Sequence, residues 1–253
     1  MGGWIYVRAI YRGNDQIRPL SRSCHLKVSD FLSPRRGRRE TQQISGIALL
    51  DSRVVPLRIG LFGGTFDPPH VGHLVTAVNL RHALALDMVI LMVANDPWQK
   101  SGARSITPAR DRLAMVQAAV EGVDGLEAGA EEIERGGPSY TADTLATLRL
   151  KYPGSRLFTI VGDDAAAAID SWERVNEVVH MSTLVVVDRP GQPSELSNAY
   201  QWRHVEVPHL EVSSTDLRCR VTDGRPLDFL VPEKVIAIIR DRGLYGLRTG
   251  AQL

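Results

Sequence analysis

The chain has 253 residues, of which 43% are hydrophobic and 23% charged, with a net charge of +1. That composition supports a packed core and excludes a chain that is disordered throughout. No apolar run approaches the ~18–20 residues of a membrane span, and the N-terminus lacks the apolar stretch of a secretory leader. The expectation is therefore a cytoplasmic protein with no membrane partner. The two cysteines, Cys24 and Cys219, form no Cys-x-x-Cys pair, so a zinc or redox motif is not expected.

The even balance of charge conceals an asymmetry. Residues 1–57 hold ten Lys/Arg against four Asp/Glu, a net of +6, while the remainder carries −5. This first stretch has only short apolar fragments on either side of the basic run Arg35-Arg36-Gly37-Arg38-Arg39. We read residues 1–57 as a weakly ordered basic extension, 58–246 as the folded domain and 247–253 as a tail. Solvated basic tails are common. A targeting or nucleic-acid-binding arm stays open, though nothing in the sequence asks for nucleic acid.

The domain begins with Arg58-Ile59-Gly60-Leu61-Phe62, a short apolar run ending in two glycines, which predicts a buried strand and a turn. From Gly72 to about Leu86 the apolar spacing is helical, with Leu74, Ala77, Val78 and Leu84 on much of one face. Met88–Val93 is a second buried strand, which closes a βαβ unit. Thr107 is expected to cap a helix with Pro108 in its first turn. A further helix is expected over 139–151, entered through Gly136-Gly137-Pro138. Leu157–Val161 reads as a strand, Ala165–Val179 as mainly helical, Thr183–Val187 as a strand and His204–Val207 as an edge strand. The last strong helix runs from Pro232 to Arg242, with Gly243 after its end. Strands that are apolar throughout, alternating with helices, predict a doubly wound α/β fold with a mostly parallel sheet covered on both faces. Ligands of such sheets bind beyond the carboxyl ends of the strands.

The segment Gly63-Gly64-Thr65-Phe66-Asp67-Pro68-Pro69-His70-Val71-Gly72-His73 lies where that crevice opens. Glycines let a backbone approach a phosphate closely. With Gly72 at the start of the next helix, His73 falls in its first turn, where N–H groups and the helix dipole favour an anion. Two imidazoles there suit the charge that develops on a phosphate under attack. Neither a Walker A loop nor a Gly-x-Gly-x-x-Gly fingerprint is present. Near the C-terminus, Ser213-Ser214-Thr215-Asp216-Leu217-Arg218 reads as another helix start, with hydroxyls and an arginine able to clamp phosphates. Alone it is equally an ordinary helix cap.

Together these segments resemble the nucleotidyltransferase superfamily, with its His-x-Gly-His and Ser/Thr-Ser-Thr-x-x-Arg signatures. Within it the chain resembles the bacterial nicotinate mononucleotide adenylyltransferases over about Arg58 to Tyr245. Pro97-Trp98-Gln99-Lys100, Arg135–Thr141, Gly162-Asp163-Asp164, Ser171-Trp172, Asp188-Arg189-Pro190-Gly191 and Leu230-Val231-Pro232 also carry the likeness. The resemblance implies a Rossmann-like nucleotidyltransferase fold. It also implies adenylyl transfer from ATP, with Mg²⁺, to nicotinate mononucleotide in NAD biosynthesis.

The resemblance further implies that His70, His73 and Arg218 serve catalysis. Gly63, Gly64, Thr65, Phe66, His70, His73, Lys100, Ser213, Ser214 and Arg218 would hold ATP, with Gly64, Thr65 and Phe66 lining the crevice shared by both substrates. Thr141, Gly162, Asp164, Trp172 and Arg189 would bind the mononucleotide, Trp172 by stacking on its ring. Read from the residues alone, Trp172 could as well be a core tryptophan and Lys100 a solvated surface lysine. Many family members have Pro-Pro-His-Lys where this chain has Pro97-Trp98-Gln99-Lys100. No protein metal ligand is expected, and a homo-oligomer stays open. Rival readings are a pantetheine-phosphate adenylyltransferase and a non-catalytic nucleotide sensor.

Overall fold

The computed structural model describes residues 55–97, 106–188, 196 and 198–246. Most of the expected basic extension, Lys100, Arg189 and the tail from 247 lie outside these residues. Six strands form one sheet: β1 (Arg58–Gly64), β2 (Met88–Val93), β3 (Leu126–Gly129), β4 (Arg156–Gly162), β5 (Ser182–Asp188) and β6 (Trp202–Glu206). Their spatial order is β3-β2-β1-β4-β5-β6, and every pairing among the described residues is parallel. The chain thus runs outward one way from β1 to β3, then returns to lay β4 on the other side of β1. The switch point, where such sheets open a crevice at the carboxyl ends of their strands, falls between β1 and β4.

The strands are apolar on both sides because helices cover both sides. One face carries Leu91, Phe158, Ile160 and Val185 under Ala77 and Leu80 of α1 (Val71–Ala83) and Val116 of α2 (Ala109–Val120). The other carries Ile59, Leu61, Ile90 and Leu184 under Leu145 and Leu148 of α4 (Thr141–Lys151) and Val178 of α6 (Val175–Met181). Period-two alternation within β1 and β2 sends successive side chains to opposite cores. Gly60 stands where a Cβ would come within 2.8 Å of Ile160 and 2.9 Å of Leu86, so side chains of β4 and of the segment before β2 close over β1 there. A third cluster joins Met115 and Ala119 of α2 to Leu217 of α7 (Ser214–Asp223) and to Val235 and Ile239 of α8 (Glu233–Asp241). The C-terminal helices therefore pack on α2, away from the sheet.

Three expectations change in detail. β3 was not foreseen: Leu-Glu-Ala-Gly has little strand propensity, and the segment is held by its register against β2, Val89↔Leu126 to Met92↔Gly129. The helix expected over Ala165–Val179 is broken. α5 (Asp163–Ala167) and a short 3-10 turn end at Ser171, Trp172 is extended, and Arg174 sits at φ 53 before α6. Neither glycine nor proline marks that break. An ion pair does: Arg174 Nη2 meets Asp143 of α4 at 2.5 Å. Thr107 lies outside α2, because Pro108 remains extended (ψ 139) and Ala109 opens the helix. The Thr107 carbonyl instead accepts a hydrogen bond from Arg112 Nε at 2.8 Å.

Arg112 is 1% exposed, on the apolar face of α2. Its other nitrogens donate to the carbonyls of Thr65 (2.9 Å) and Asn95 (3.2 Å), so one guanidinium joins the loops after β1 and β2 to the start of α2. Replacing it by a side chain of similar volume leaves three carbonyls without that donor. Arg112→Met is expected to lower stability by about 2–4 kcal/mol, from the cost of unmet buried hydrogen bonds. Urea unfolding checks this as a lower midpoint at unchanged slope.

Candidate active site

Six residues, Thr65 to His70, link β1 to α1, and all six are buried. Phe66 takes a left-handed backbone (φ 50), uncommon for an aromatic residue. Its ring stands edge-on to His73 at 4.9 Å and to Phe62 at 5.9 Å. Gly64 makes room for that ring, since a Cβ there would lie 2.8 Å from it. Gly63 is next to last in β1 and Gly162 last in β4, and a Cβ on either would meet nothing within 4 Å. The mouth of the sheet is open at both strands.

The loop is fastened by three residues distant in sequence, two of them in α7. Tyr245 Oη donates to Asp67 Oδ1 at 2.8 Å, Arg218 Nη1 to the Asp67 carbonyl at 2.8 Å, and Ser214 Oγ to the Pro68 carbonyl at 2.8 Å. Burial, together with the negative charge of Asp67, raises the Tyr245 hydroxyl well above its ordinary range, so it stays a donor. Ser213 caps α7, its Oγ accepting from the Asp216 N–H at 3.2 Å. Arg218 also donates to Thr215 Oγ1 at 3.0 Å. The arginine read as a phosphate clamp thus tethers the histidine loop as well.

Helix α1 starts at Val71, one residue earlier than expected, which makes His70 its N-cap and His73 its third residue. The His70 N–H donates to His73 Nδ1 at 3.2 Å. With Nδ1 an acceptor, the neutral His73 ring carries its proton on Nε2. The two imidazoles stack with centroids 3.7 Å apart. Burial lowers the His70 pKa from 6.5 to about 4, so that ring is neutral near pH 7. Gly72 is required between them: a Cβ would lie 3.0 Å from the His70 ring and 3.0 Å from Val212. The Val71 N–H is taken by the Leu230 carbonyl, and those of His73 and Leu74 turn back to His70. Among the described residues, that leaves the Gly72 N–H as the unengaged donor of the first turn, narrower than the sequence argument assumed.

Two clefts meet here. The larger, about 710 Å³, is lined by His70, His73, Thr76, Asp188, His209, Ser213, Ser214 and Arg218. The smaller, about 360 Å³, is lined by Glu132, Ser139, Thr141, Asp164 and Trp172. Both share Gly63, Gly64, Thr65, Gly162 and Asp164 as a common floor at the switch point. Phe66 lines the larger cleft alone. The structure therefore brings every described candidate residue to one of two adjoining spaces. Trp172 does both things that its sequence left open: it lines the smaller cleft and packs against the core of α4 and α6.

The cytidylyltransferase-like family model matches residues 61–220. The chain is 40% identical over 192 residues to the probable nicotinate-nucleotide adenylyltransferase of Corynebacterium kroppenstedtii, covering 74% of this chain and 90% of that one. A protein of the same name from Desulfitobacterium hafniense is 41% identical over 200 residues, covering 75% and 96%. The chain belongs to the cytidylyltransferase-like family, among its nicotinate-nucleotide adenylyltransferases. The fold is also that of a Plasmodium falciparum nicotinic acid mononucleotide adenylyltransferase complexed with NaAD (TM-score 0.61, 17% identity, 76% of this chain and 98% of that one).

Three residues of this family member went unassigned in the sequence. Arg112 occupies the buried stripe of α2 with Met115, Val116 and Ala119, and an arginine at that spacing is the signal that marks it. Glu132 is 7% exposed in the smaller cleft, from the short helix α3 (Glu131–Arg135), whose charged sequence gives no such hint. Tyr245 reaches Asp67 across 178 positions, a distance no local pattern spans.

The His70 shift has a defined consequence. Folded His70 holds no proton until about pH 4, whereas the unfolded ring charges near 6.5. Below 6.5 the unfolded state binds more protons, so stability falls from pH 6.5 towards 4 and is fully present above 6.5. His70→Asn is expected to flatten this part of the profile of thermal midpoint against pH, relative to the parent chain.

Proposed function

We infer that the enzyme joins ATP and nicotinate mononucleotide to give nicotinate adenine dinucleotide and pyrophosphate. The observation that carries the reading is the pair of clefts that adjoin over Gly63-Gly64-Thr65 and Gly162. One offers imidazole, hydroxyl and guanidinium groups, suited to a triphosphate; the other offers a tryptophan and small polar residues, suited to a flat ring with a sugar. A nucleotidyl transfer needs two such spaces opening on one reacting phosphorus.

In the reaction, an oxygen of the mononucleotide phosphate attacks the α-phosphorus of ATP in line. A new P–O bond forms, the bond to the β-phosphate oxygen breaks, and pyrophosphate leaves with that electron pair. A phosphate monoester is already an anion near neutral pH, with a second pKa of about 6, so no strong base is required. The protein positions the reactants and stabilises charge. His73, with its proton on Nε2, donates to the developing charge. Neutral His70 packs against it and holds its ring, and Ser213, Ser214 and Arg218 face the triphosphate from α7. A magnesium ion brought in with ATP would supply positive charge to the departing pyrophosphate, and no side chain of the protein is assigned to hold it.

Thr141 opens α4, whose N-cap residue Tyr140 provides no side-chain cap. The free N–H groups of that helix end favour an anionic ring substituent, hence the acid over the amide. Thr141, Gly162, Asp164 and Trp172 thus form the mononucleotide side, with Arg189 as a further contact and Lys100 on the ATP side, both from outside the described residues. The domain over 58–246 is the catalytic unit, and the reaction is placed in the cytoplasm.

Pyrophosphate release with ATP and either nicotinate or nicotinamide mononucleotide tests this, with the acid form as the better substrate; no release with either sinks the reading. His73→Ala is expected to lower kcat by about 10²–10³, the usual effect of removing one donor to a developing oxyanion, in a chain that remains folded by circular dichroism. Trp172→Ala is expected to raise KM for the mononucleotide about two- to tenfold, the worth of an aromatic contact. A rise confined to the KM for ATP would refute the stacking role.

A further inference from the structure

The smaller cleft contains a carboxylate to which the reaction as described gives no part. Glu132 is 7% exposed. Thr144 Oγ1 donates to its Oε1 at 2.7 Å, and Thr144 is itself fully buried in α4. The other oxygen, Oε2, takes no hydrogen bond from the described residues and stays open to solvent. A carboxylate held largely out of water gains from a positive charge beside it. Of the nearby cations, Lys151 pairs with Glu131 at 2.7 Å, and Arg135 reaches the same Thr144 Oγ1 at 3.5 Å without lining the cleft or pairing directly with Glu132. Among the described residues that line the cleft there is no lysine, arginine or histidine; there are two carboxylates, Glu132 and Asp164, and Trp172.

An aromatic side chain and two carboxylates with no cation between them form a place for positive charge. Indole faces attract cations, and a carboxylate in a partly dry cleft attracts them more strongly than in water. A pyridine mononucleotide brings such a charge, because its ring nitrogen is bonded to ribose and is cationic at every pH. Its acid substituent sits elsewhere on the ring and has the uncapped start of α4 to meet it.

We propose that Glu132, with Asp164 and Trp172, recognises the positive charge of the pyridinium ring, so that the smaller cleft selects the oxidised mononucleotide over its neutral 1,4-dihydro form. This rests on the adenylyl-transfer reading of the same cleft. The dihydro compound keeps the ribose, the phosphate and the ring substituent; the hydride added at C4 removes the ring charge together with the aromaticity. A cleft that selected by shape alone would accept both, and the part of the preference that depends on Glu132 separates the carboxylate's role from stacking on Trp172. Glu132 thereby sets specificity and takes no part in bond making.

The test compares pyrophosphate release from ATP with nicotinate mononucleotide and with its 1,4-dihydro derivative. The unmodified enzyme is expected to favour the oxidised form in kcat/KM by about tenfold or more, the scale of a desolvated cation–aromatic contact with a carboxylate beside it. Glu132→Gln keeps an oxygen for Thr144 and removes the charge. It is expected to shrink the preference several-fold, by raising KM for the oxidised substrate. Glu132→Asp, which restores the charge on a shorter stem, is expected to recover part of it. An unmodified enzyme that uses both forms equally overturns the proposal without any variant being made. So does a Glu132→Gln enzyme in which both substrates weaken in parallel, the result expected of a residue that only supports the fold. Absence of pyrophosphate release with either substrate overturns the adenylyl-transfer reading itself, and is distinguished from the other two outcomes by the lack of any turnover.

Discussion

Asp67 is the point on which the site is built. Its carboxylate takes the Tyr245 hydroxyl on one oxygen and the Thr107 N–H on the other, while its carbonyl takes the Arg218 guanidinium. It is 1% exposed, so these bonds form in a setting where an unmet charge would be costly. The loop from Thr65 to His70 has no regular structure of its own. Its shape is imposed by Asp67, by the Arg112 guanidinium on Thr65 and by Ser214 on Pro68. From that shape follow the left-handed turn at Phe66, the stacking of His70 on His73 and the proton on His73 Nε2. The fastening also joins the two signature segments into one device. The residues of α7 fix the loop that carries the histidines, as well as lining the same cleft.

The two clefts divide their chemistry cleanly. Imidazole, hydroxyl and guanidinium groups gather over the larger one, carried by α1 and α7. The smaller one has a tryptophan, two carboxylates and the uncapped start of α4. Parallel topology makes this possible. Reversal of strand order at β1 and β4 leaves a gap between the loops that follow them, and helices from opposite faces of the sheet close it from either side. The histidines belong to the layer of α1 and the tryptophan to that of α4 and α6. The shared floor is open at Gly63 and Gly162, where a Cβ would meet nothing within 4 Å.

Much of this could be read locally. The buried strands, the βαβ unit and the α8 helix follow from apolar runs, periodicity and proline placement, and the glycine–histidine segment falls where the strand pattern puts the crevice. The exceptions share a cause. β3 exists because β2 offers it a hydrogen-bonding edge, and its own residues do not favour a strand. The stretch from 165 to 179 is helical by periodicity, yet it breaks at Trp172, next to Arg174, which pairs with Asp143 thirty-one positions away. Arg112 sits on an apolar stripe because three carbonyls from distant loops converge on it.

The amino-acid sequence by itself determined the class of fold and the position of the glycine–histidine turn at the mouth of the sheet. These depend on backbone periodicity, glycine conformation and helix termini, all properties of a few consecutive residues, whereas Thr141, Asp164 and Trp172 were marked by the family resemblance. Only the tertiary structure decided which nitrogen of His73 bears the proton, that Arg218 holds the loop it was expected to face, that Trp172 turns into the cleft and that Glu132 stands buried beside it. Apart from the bond from the His70 N–H to His73, which spans three residues, these depend on packing between residues far apart in the chain.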